Sequence, residues 1–425
     1  MDHRPLGFFV LVAVLLLCTV AGAAQAADWP QWHGPTRDGR AAATEPALNA
    51  LPKELQPEWQ IAVGGGHSSP VVAAGRLLYL DADGQHEVAH LLDAATGREL
   101  WRTPFADRFE DEWGAGPRST PLMDGDRAYV QSCSGEFRCL SLADGKVLWG
   151  ASFEKDFGVK FHGARGAESL VAARRGNNGS PIVDRDAVIV PVGSTNGASL
   201  VCFDKSTGQV RWKAGNEDAA YSSPMIATLA GVRQVVYLSA DSLSGFERAT
   251  GRLLWRQPLR TAARRHAATP VVVGDTVAVN SHTFGTAGFR ITRSGDAFTA
   301  TEAWTNPTLK LNLATPVLAE GHLFSQGPDR DYVCVEATTG RLKWSQPGFG
   351  QSRRDYASTI LVGRNLLVLT EQGTLCLLAA NAERYTELGR LQVCGNTWSS
   401  PALADGRLFV RDGRQLFCVE LGKAP

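Results

Sequence analysis

The sequence predicts an all-β chain folded as an eight-bladed β-propeller of four-stranded antiparallel blades, closed by pairing a strand around Trp59 with the last blade. Three observations predict it. First, a stretch ending in Trp recurs: LLDAATGRELW, up to Trp101, has near-copies ending at Trp149, Trp212, Trp255 and Trp344, and a weaker one, with an insertion after ITRSGD, ending at Trp304. Second, a small residue, Pro and an apolar run open each unit, at Pro70, Pro121, Pro181, Pro224, Pro270, Pro316 and Pro401, with Ile360 in the Pro position of the seventh. Third, the last unit stops at LFCVEL without a Trp, while PEWQIAV, with Trp59, stands unmatched before the first opening.

The chain divides into a leader over residues 1–26, an extension over 27–57 and the propeller over 58–425. Arg4, an apolar run from Leu6 to Val20 and the small residues around Ala24 and Ala26 read as a cleaved secretory signal. The apolar run is too short for a membrane span. Leu17, directly before Cys18, argues against lipid attachment there, so an exported, periplasmic or secreted monomer is expected. The extension begins DWPQWHGPTRDG over residues 28–39 and continues, punctuated by Pro, to Pro57.

Within each unit the opening reads as strand, Gly turn, strand, and the Trp stretch as a second hairpin. Its Gly supplies the positive φ of a tight turn, and the residues after it alternate polar and apolar up to the Trp. Units of four short strands repeating every 40–50 residues are the mark of propeller blades. The unmatched strand at Trp59 completes the eighth blade and removes its free sheet edge. Seven Trp (59, 101, 149, 212, 255, 304 and 344) and Leu388 in the seventh unit then make one inter-blade position per blade. Each indole can bury about 150–250 Å², worth at most about 4–6 kcal/mol. Trp29, Trp32, Trp113 and Trp398 lie outside this set.

Eight cysteines in an exported chain raise the question of disulfides. Five of them, Cys139, Cys202, Cys334, Cys376 and Cys418, share one register of the repeat, with Ala89 or a neighbour in that slot of the first unit. That pattern suits a small buried packing residue better than a bridge. Cys133 and Cys394 stand outside it and receive no pairing.

The A-x-T-G-x-x-x-W hairpins and S-P openings resemble the pyrroloquinoline-quinone repeat, and their order resembles eight-bladed quinoprotein-like propellers over nearly the whole of the chain after the leader. That superfamily includes exported quinone-dependent alcohol dehydrogenases and the propeller scaffold of the outer-membrane β-barrel assembly machine. WPQWHGPTRDG, GAGPRSTP and AAYSSP are similar to segments of exported planctomycete-type members. The resemblance implies the fold and leaves three functions open: a non-catalytic binding scaffold, a divergent quinone oxidoreductase holding the quinone with Ca²⁺, and an outer-membrane assembly factor.

A quinone dehydrogenase of that superfamily would carry a vicinal Cys pair, which this chain lacks. The chain also has no H-E-x-x-H, no G-x-S-x-G elbow, no C-x-x-C and no phosphate-binding loop. The expected reading is therefore a scaffold without a cofactor, catalytic residue or metal site. Lys+Arg and Asp+Glu balance at 43 each, so charge gives no reason to expect a nucleic acid partner.

Binding groups are expected on the connectors that run from each outer strand to the next inner strand. Two of these are long, residues 102–117 and 151–179, and the connectors as a set hold more Lys and Arg than Asp and Glu. A basic connector face for an anionic small molecule or protein partner follows. The residues ahead of each opening are the channel-mouth candidates: Arg118, Asn178, Tyr221, Arg265, His266, Asn312, Arg354 and Trp398.

Overall fold

Each opening and each Trp hairpin form the four strands expected of them, and the sheets they build are consecutive along the chain. In the computed structural model, which describes residues 27–159, 175–261, 264–311, 313–350 and 356–422, these make eight four-stranded antiparallel sheets. Blade 1 runs through strands Val71–Ala73, Arg76–Asp83, His86–Asp93 and Glu99–Asp107, and its order repeats around the ring. The leader read over residues 1–26 lies outside the described residues.

Closure occurs where the counting places it. The strand Pro57–Ala62 pairs antiparallel with Gln415–Glu420, with Trp59 opposite Cys418. Arg411 fastens the seam from within: fully buried, it donates 2.7 Å to the Leu80 carbonyl and 2.9 Å to the Gly64 carbonyl. Asp81 completes the tie by accepting from the Gly64 N–H at 2.7 Å and from His90, which also bonds Glu99.

The repeated glycine does more than turn the chain. At Gly97, Gly145, Gly208, Gly251 and Gly340 an added Cβ would lie 2.3–2.7 Å from the nearest atom of the preceding blade's side chains, with the indole of Trp59, Trp101, Trp149, Trp212 or Trp304 in that contact. Most indole N–H groups then donate into the following blade, as from Trp59 to Ala94, Trp101 to Leu142, Trp149 to Lys205, Trp212 to Arg248 and Trp344 to Asn381 carbonyls. Trp255 instead donates 2.7 Å to Gln234 of its own blade. Its neighbour is blade 5, whose hairpin is lengthened to ten-residue strands, Gly285–Ser294 and Ala297–Asn306.

Two register assignments need correction. In blade 7 the residue at the Trp position is Gly389, opposite Leu377 beside the bulge; Leu388 is one step away and exposed. The space an indole would fill is taken by Leu51 of the extension, whose Cβ lies 3.3 Å from where a Gly389 Cβ would be. Likewise the slot opposite the Trp holds Cys139, Cys202, Cys334 and Cys418, but Leu91 in blade 1 and Leu377 in blade 7, so neither Ala89 nor Cys376 occupies it. All seven described cysteines are buried free thiols.

The signature before each Pro has a structural reason. In blade 7 the pairing of Val362 with Asn365 puts Thr359, not Ile360, in the Pro position; proline cannot donate, and the residue ahead of that position is Ser or Thr in every blade, Ser358 in blade 7. The backbone N–H of that residue donates to the equivalent hydroxyl of the next blade: Thr120 to Ser180, Ser180 to Ser223, Thr269 to Thr315, and Ser400 to Ser69 across the closure. These bonds knit the inner ends of the blades around the bore.

Candidate functional site

An extended strand alternates its side chains, so residues one and three positions before the opening Pro face the bore while those between turn into the blades. The structure follows this parity. Ser68, Ser119, Ser222, Ala268, Ala314 and Ser399 are buried between blades. The positions three before the Pro are His67, Arg118, Asn178, Tyr221, Ala267, Leu313 and Trp398, and all seven line one cavity of about 1160 Å³. Ser69, Thr120, Ser180 and Ser223 line it one tier deeper, and Tyr356 enters from blade 7.

Arg118, Asn178, Tyr221, Arg265 and Trp398 are thus brought together at the mouth. His266 is not. It sits four before Pro270, is 1 % exposed against Phe284, and burial pulls its imidazole down to about 4. Asn312 and Arg354 lie outside the described residues. His67, Ala267 and Leu313 were missed, although counting three back from each Pro finds all of them.

The long connector after blade 1 folds over the rim. It forms a small hairpin, Glu110–Asp111 with Gly114–Ala115, that presents Trp113 at its tip. Arg118 grips Asp111 through both guanidinium nitrogens and lies over the Phe109 ring. Arg175, from the second long connector, pairs with Glu112 and covers Trp113 at 5.8 Å. Trp113 meets Trp398 of blade 8 at 5.4 Å, and Trp398 meets His67 at 5.2 Å. His67 also bonds the Trp113 carbonyl at 3.0 Å, and burial lowers its pKa.

Behind this wall Asn178 accepts a bond from Cys133 at 3.4 Å. Next to Cys133 is Glu87, fully buried; the N–H groups of Phe109 and Cys133 approach its carboxylate without reaching hydrogen-bond geometry. Burial pushes the Glu87 carboxyl up to about 8.

Several of the cations counted on the connectors are paired. Arg264 bridges Asp218 at 2.8 Å and Asp241 at 2.6 Å, Arg260 reaches Asp241, and Arg256 reaches Glu217. Lys310 lines the cavity with no ion pair among the described residues.

The floor comes from outside the blades. Residues 28–41 enter the bore as a loop from the far face, where Asp28 accepts from Ala74 N–H and, past the loop, Glu45 accepts from Asp405 and Gly406 N–H. Trp29 pairs with Val72 of blade 1, and the Pro30 carbonyl accepts from Met123 of blade 2. Arg37, 2 % exposed, donates to the Ser180 and Pro181 carbonyls of blade 3 at 2.6 and 2.7 Å. Trp32 donates 3.0 Å to Thr269 of blade 5, Arg40 reaches Leu318 of blade 6, and Gly39 and Ala41 bond Leu361 of blade 7. Ala27 reaches Asp405 of blade 8. The loop therefore stoppers the bore, and Trp32 at its apex lines the cavity.

A quinone with Ca²⁺ would need carboxylate and amide ligands converging on the cup. Among the described residues no group of three or more His, Cys, Asp or Glu is placed to hold a metal. Cys133, beside Asn178, has no thiol neighbour. No helix among the described residues is long and apolar enough to cross a membrane.

Comparison with known proteins agrees with the architecture. The chain is 26% identical over 178 residues to the outer membrane protein assembly factor BamB of Shewanella oneidensis, a match spanning 39% of this chain and 38% of that relative's length. The fold is similar to BamB from Moraxella catarrhalis, with a TM-score of 0.59 at 14% identity, covering 86% of this chain and all of that one. It is also similar to the quinohemoprotein alcohol dehydrogenase ADHIIG from Pseudomonas putida HK5, with a TM-score of 0.62 at 11% identity, covering 94% and 81% of the two chains. The family model described as outer membrane protein assembly factor BamB matches residues 42–155, 85–296 and 294–383, so the chain belongs to this family of PQQ-like β-propellers.

Proposed function

We propose that the protein is a binding scaffold of the bacterial envelope, working as an assembly-type propeller whose connector mouth receives an anionic partner. The observation that carries this reading is the cup itself. Five aromatic residues, Trp32, Trp113, Tyr221, Tyr356 and Trp398, line it together with Arg118, Arg175, Arg265 and Lys310, against Asp329 and Glu371. Such a wall binds by stacking and by charge-assisted hydrogen bonds. The name of the matched relatives, an outer membrane assembly factor, supports a protein partner and an envelope location.

The test is binding with charge reversal at the mouth. The Arg265→Glu, Lys310→Glu double variant should lose anionic-partner binding by about tenfold or more at low salt and leave thermal unfolding unchanged. Capture of outer-membrane assembly components by the wild type, and not by the variant, would support the reading; equal binding by both at low salt would reject the basic mouth. Adding the quinone with Ca²⁺ separates the alternative, since stoichiometric uptake with alcohol-dependent dye reduction would replace the scaffold by an oxidoreductase.

A further inference from the structure

We propose that a niche at the rim over blade 8, on the other side of the Trp113–Trp398 pair from the cup, takes one arginine side chain of a protein partner. This rests on the reading of the mouth as a partner site and adds to it a second contact of opposite charge.

The niche is a second cavity, of about 290 Å³. It shares His67, Trp113, Glu371 and Trp398 with the cup, so these four form the wall between the two. Its far side is built from Asn396, Thr397, Asp412 and Gly413. Small-molecule pockets begin at about 300 Å³, so the niche has room for one side chain and not for a folded segment.

The two cavities differ in charge. Among the described residues Lys and Arg outnumber Asp and Glu in the cup, whereas the niche is lined by Glu112, Glu371 and Asp412 and by no Lys or Arg. Glu112 is engaged by Arg175. Asp412 is held by backbone N–H groups: Oδ1 accepts from Arg414 and Gln415 at 2.8 Å, and Oδ2 from Gly395 at 2.9 Å. That leaves one lone-pair site on Oδ2 for a further donor. Burial lowers the pKa of His67, so it brings no positive charge at neutral pH.

Beside these carboxylates stand ring faces. Trp398 lies 5.4 Å from Trp113 and 5.2 Å from His67, tilted 37° and 40° to them. A guanidinium suits both features, because its plane stacks on an indole while its edge donates to a carboxylate; an ammonium has no plane to stack. Arg175 covers Trp113 in this manner at 5.8 Å.

Titration of the full chain with N-acetyl-argininamide, followed through the indole N–H signals in NMR spectra, tests this. Saturable shifts of Trp113 and Trp398 are expected, with affinity falling as salt is raised. The neutral isostere N-acetyl-citrullinamide should bind about tenfold or more weakly. Asp412→Asn and Glu371→Gln should each weaken the arginine probe about fivefold or more. Glu371→Gln keeps the acceptor for the Tyr356 N–H, so it can be read even if Asp412→Asn does not fold. Equal binding of the two probes, or arginine binding unchanged by either substitution, would overturn the niche. The Arg265→Glu, Lys310→Glu variant separates the cup, since neither residue lines the niche. Arginine binding that survives there supports the niche, even if anionic-partner binding survives too and the basic mouth is rejected. Arginine binding lost in that variant would place the probe in the cup and overturn the niche.

Discussion

Glu87 shows how a single side chain sets a pH response. A carboxyl whose folded value is raised to about 8 is protonated in the fold and ionised in the unfolded chain at neutral pH. Its contribution is therefore intact below about pH 4.5 and eroded as pH rises toward 8. Glu87→Gln should be more stable than wild type at pH 9, on the order of 2 kcal/mol, with the gap closing by pH 5; urea midpoints at the two pH values check it. His266 has the opposite sign. Its lowered value means the unfolded chain takes up the proton first, so stability falls from about pH 6.5 to about 4. His266→Phe should lose about 1–2 kcal/mol less than wild type between pH 7 and pH 4.5 in the same measurement. The composition of the opening hides this burial. His266 and Arg265 are neighbours in a polar connector, and only the two-residue parity counted back from Pro270 tells which one faces the cup.

At the scale of one hairpin, the glycine and the indole form a single device. Gly251 has φ +75° and its missing Cβ is the seat of the Trp212 ring, whereas Gly231 has φ +78° with open space around it. Gly231→Ala should cost about 1 kcal/mol for backbone strain alone, and Gly251→Ala about 2–4 kcal/mol, because the ring must also move. Chemical denaturation of the pair isolates the docking contribution. The bonds between openings make a second prediction: Thr315→Val leaves the buried Thr269 N–H unpaired and should cost about 1–3 kcal/mol at nearly constant volume. Both devices are written in the repeats, the first as T-G-x-x-x-W and the second as the hydroxyl before each Pro. Blade 7 breaks the first pattern, and aligning by similarity put Leu388 where bulge geometry puts Gly389. A substitute supplied by Leu51, more than 300 residues away in sequence, has no signature within the repeat itself.

For the whole ring, closure was legible because strands could be counted, and the floor was not, because it obeys no period. Residues 28–41 bond to six blades, mainly through backbone groups, partners that carry no side-chain code. Trp32 and Trp29 stood out only as indoles without a repeat. The seam is the weakest link to probe. Arg411→Met should leave the Leu80 and Gly64 carbonyls unpaired and cost about 3–5 kcal/mol, and protection of amides in strands Pro57–Ala62 and Gln415–Glu420 from hydrogen exchange should fall before that of blades 3 and 4.

The same seam dictates a birth order. The segment ahead of Trp59 is made before any blade, yet its seat is assembled from blades 1, 2, 3, 5, 6 and 7, and the strand that follows it pairs only with Gln415–Glu420. A nascent chain must therefore hold Trp32 without Thr269 until 237 further residues have appeared, and Glu58 without Cys418 for 360. Folding with such distant contacts is slow, and the incomplete wheel exposes strand edges while it waits. A long exposure of unpaired strand edges during synthesis is built into the placement of that loop.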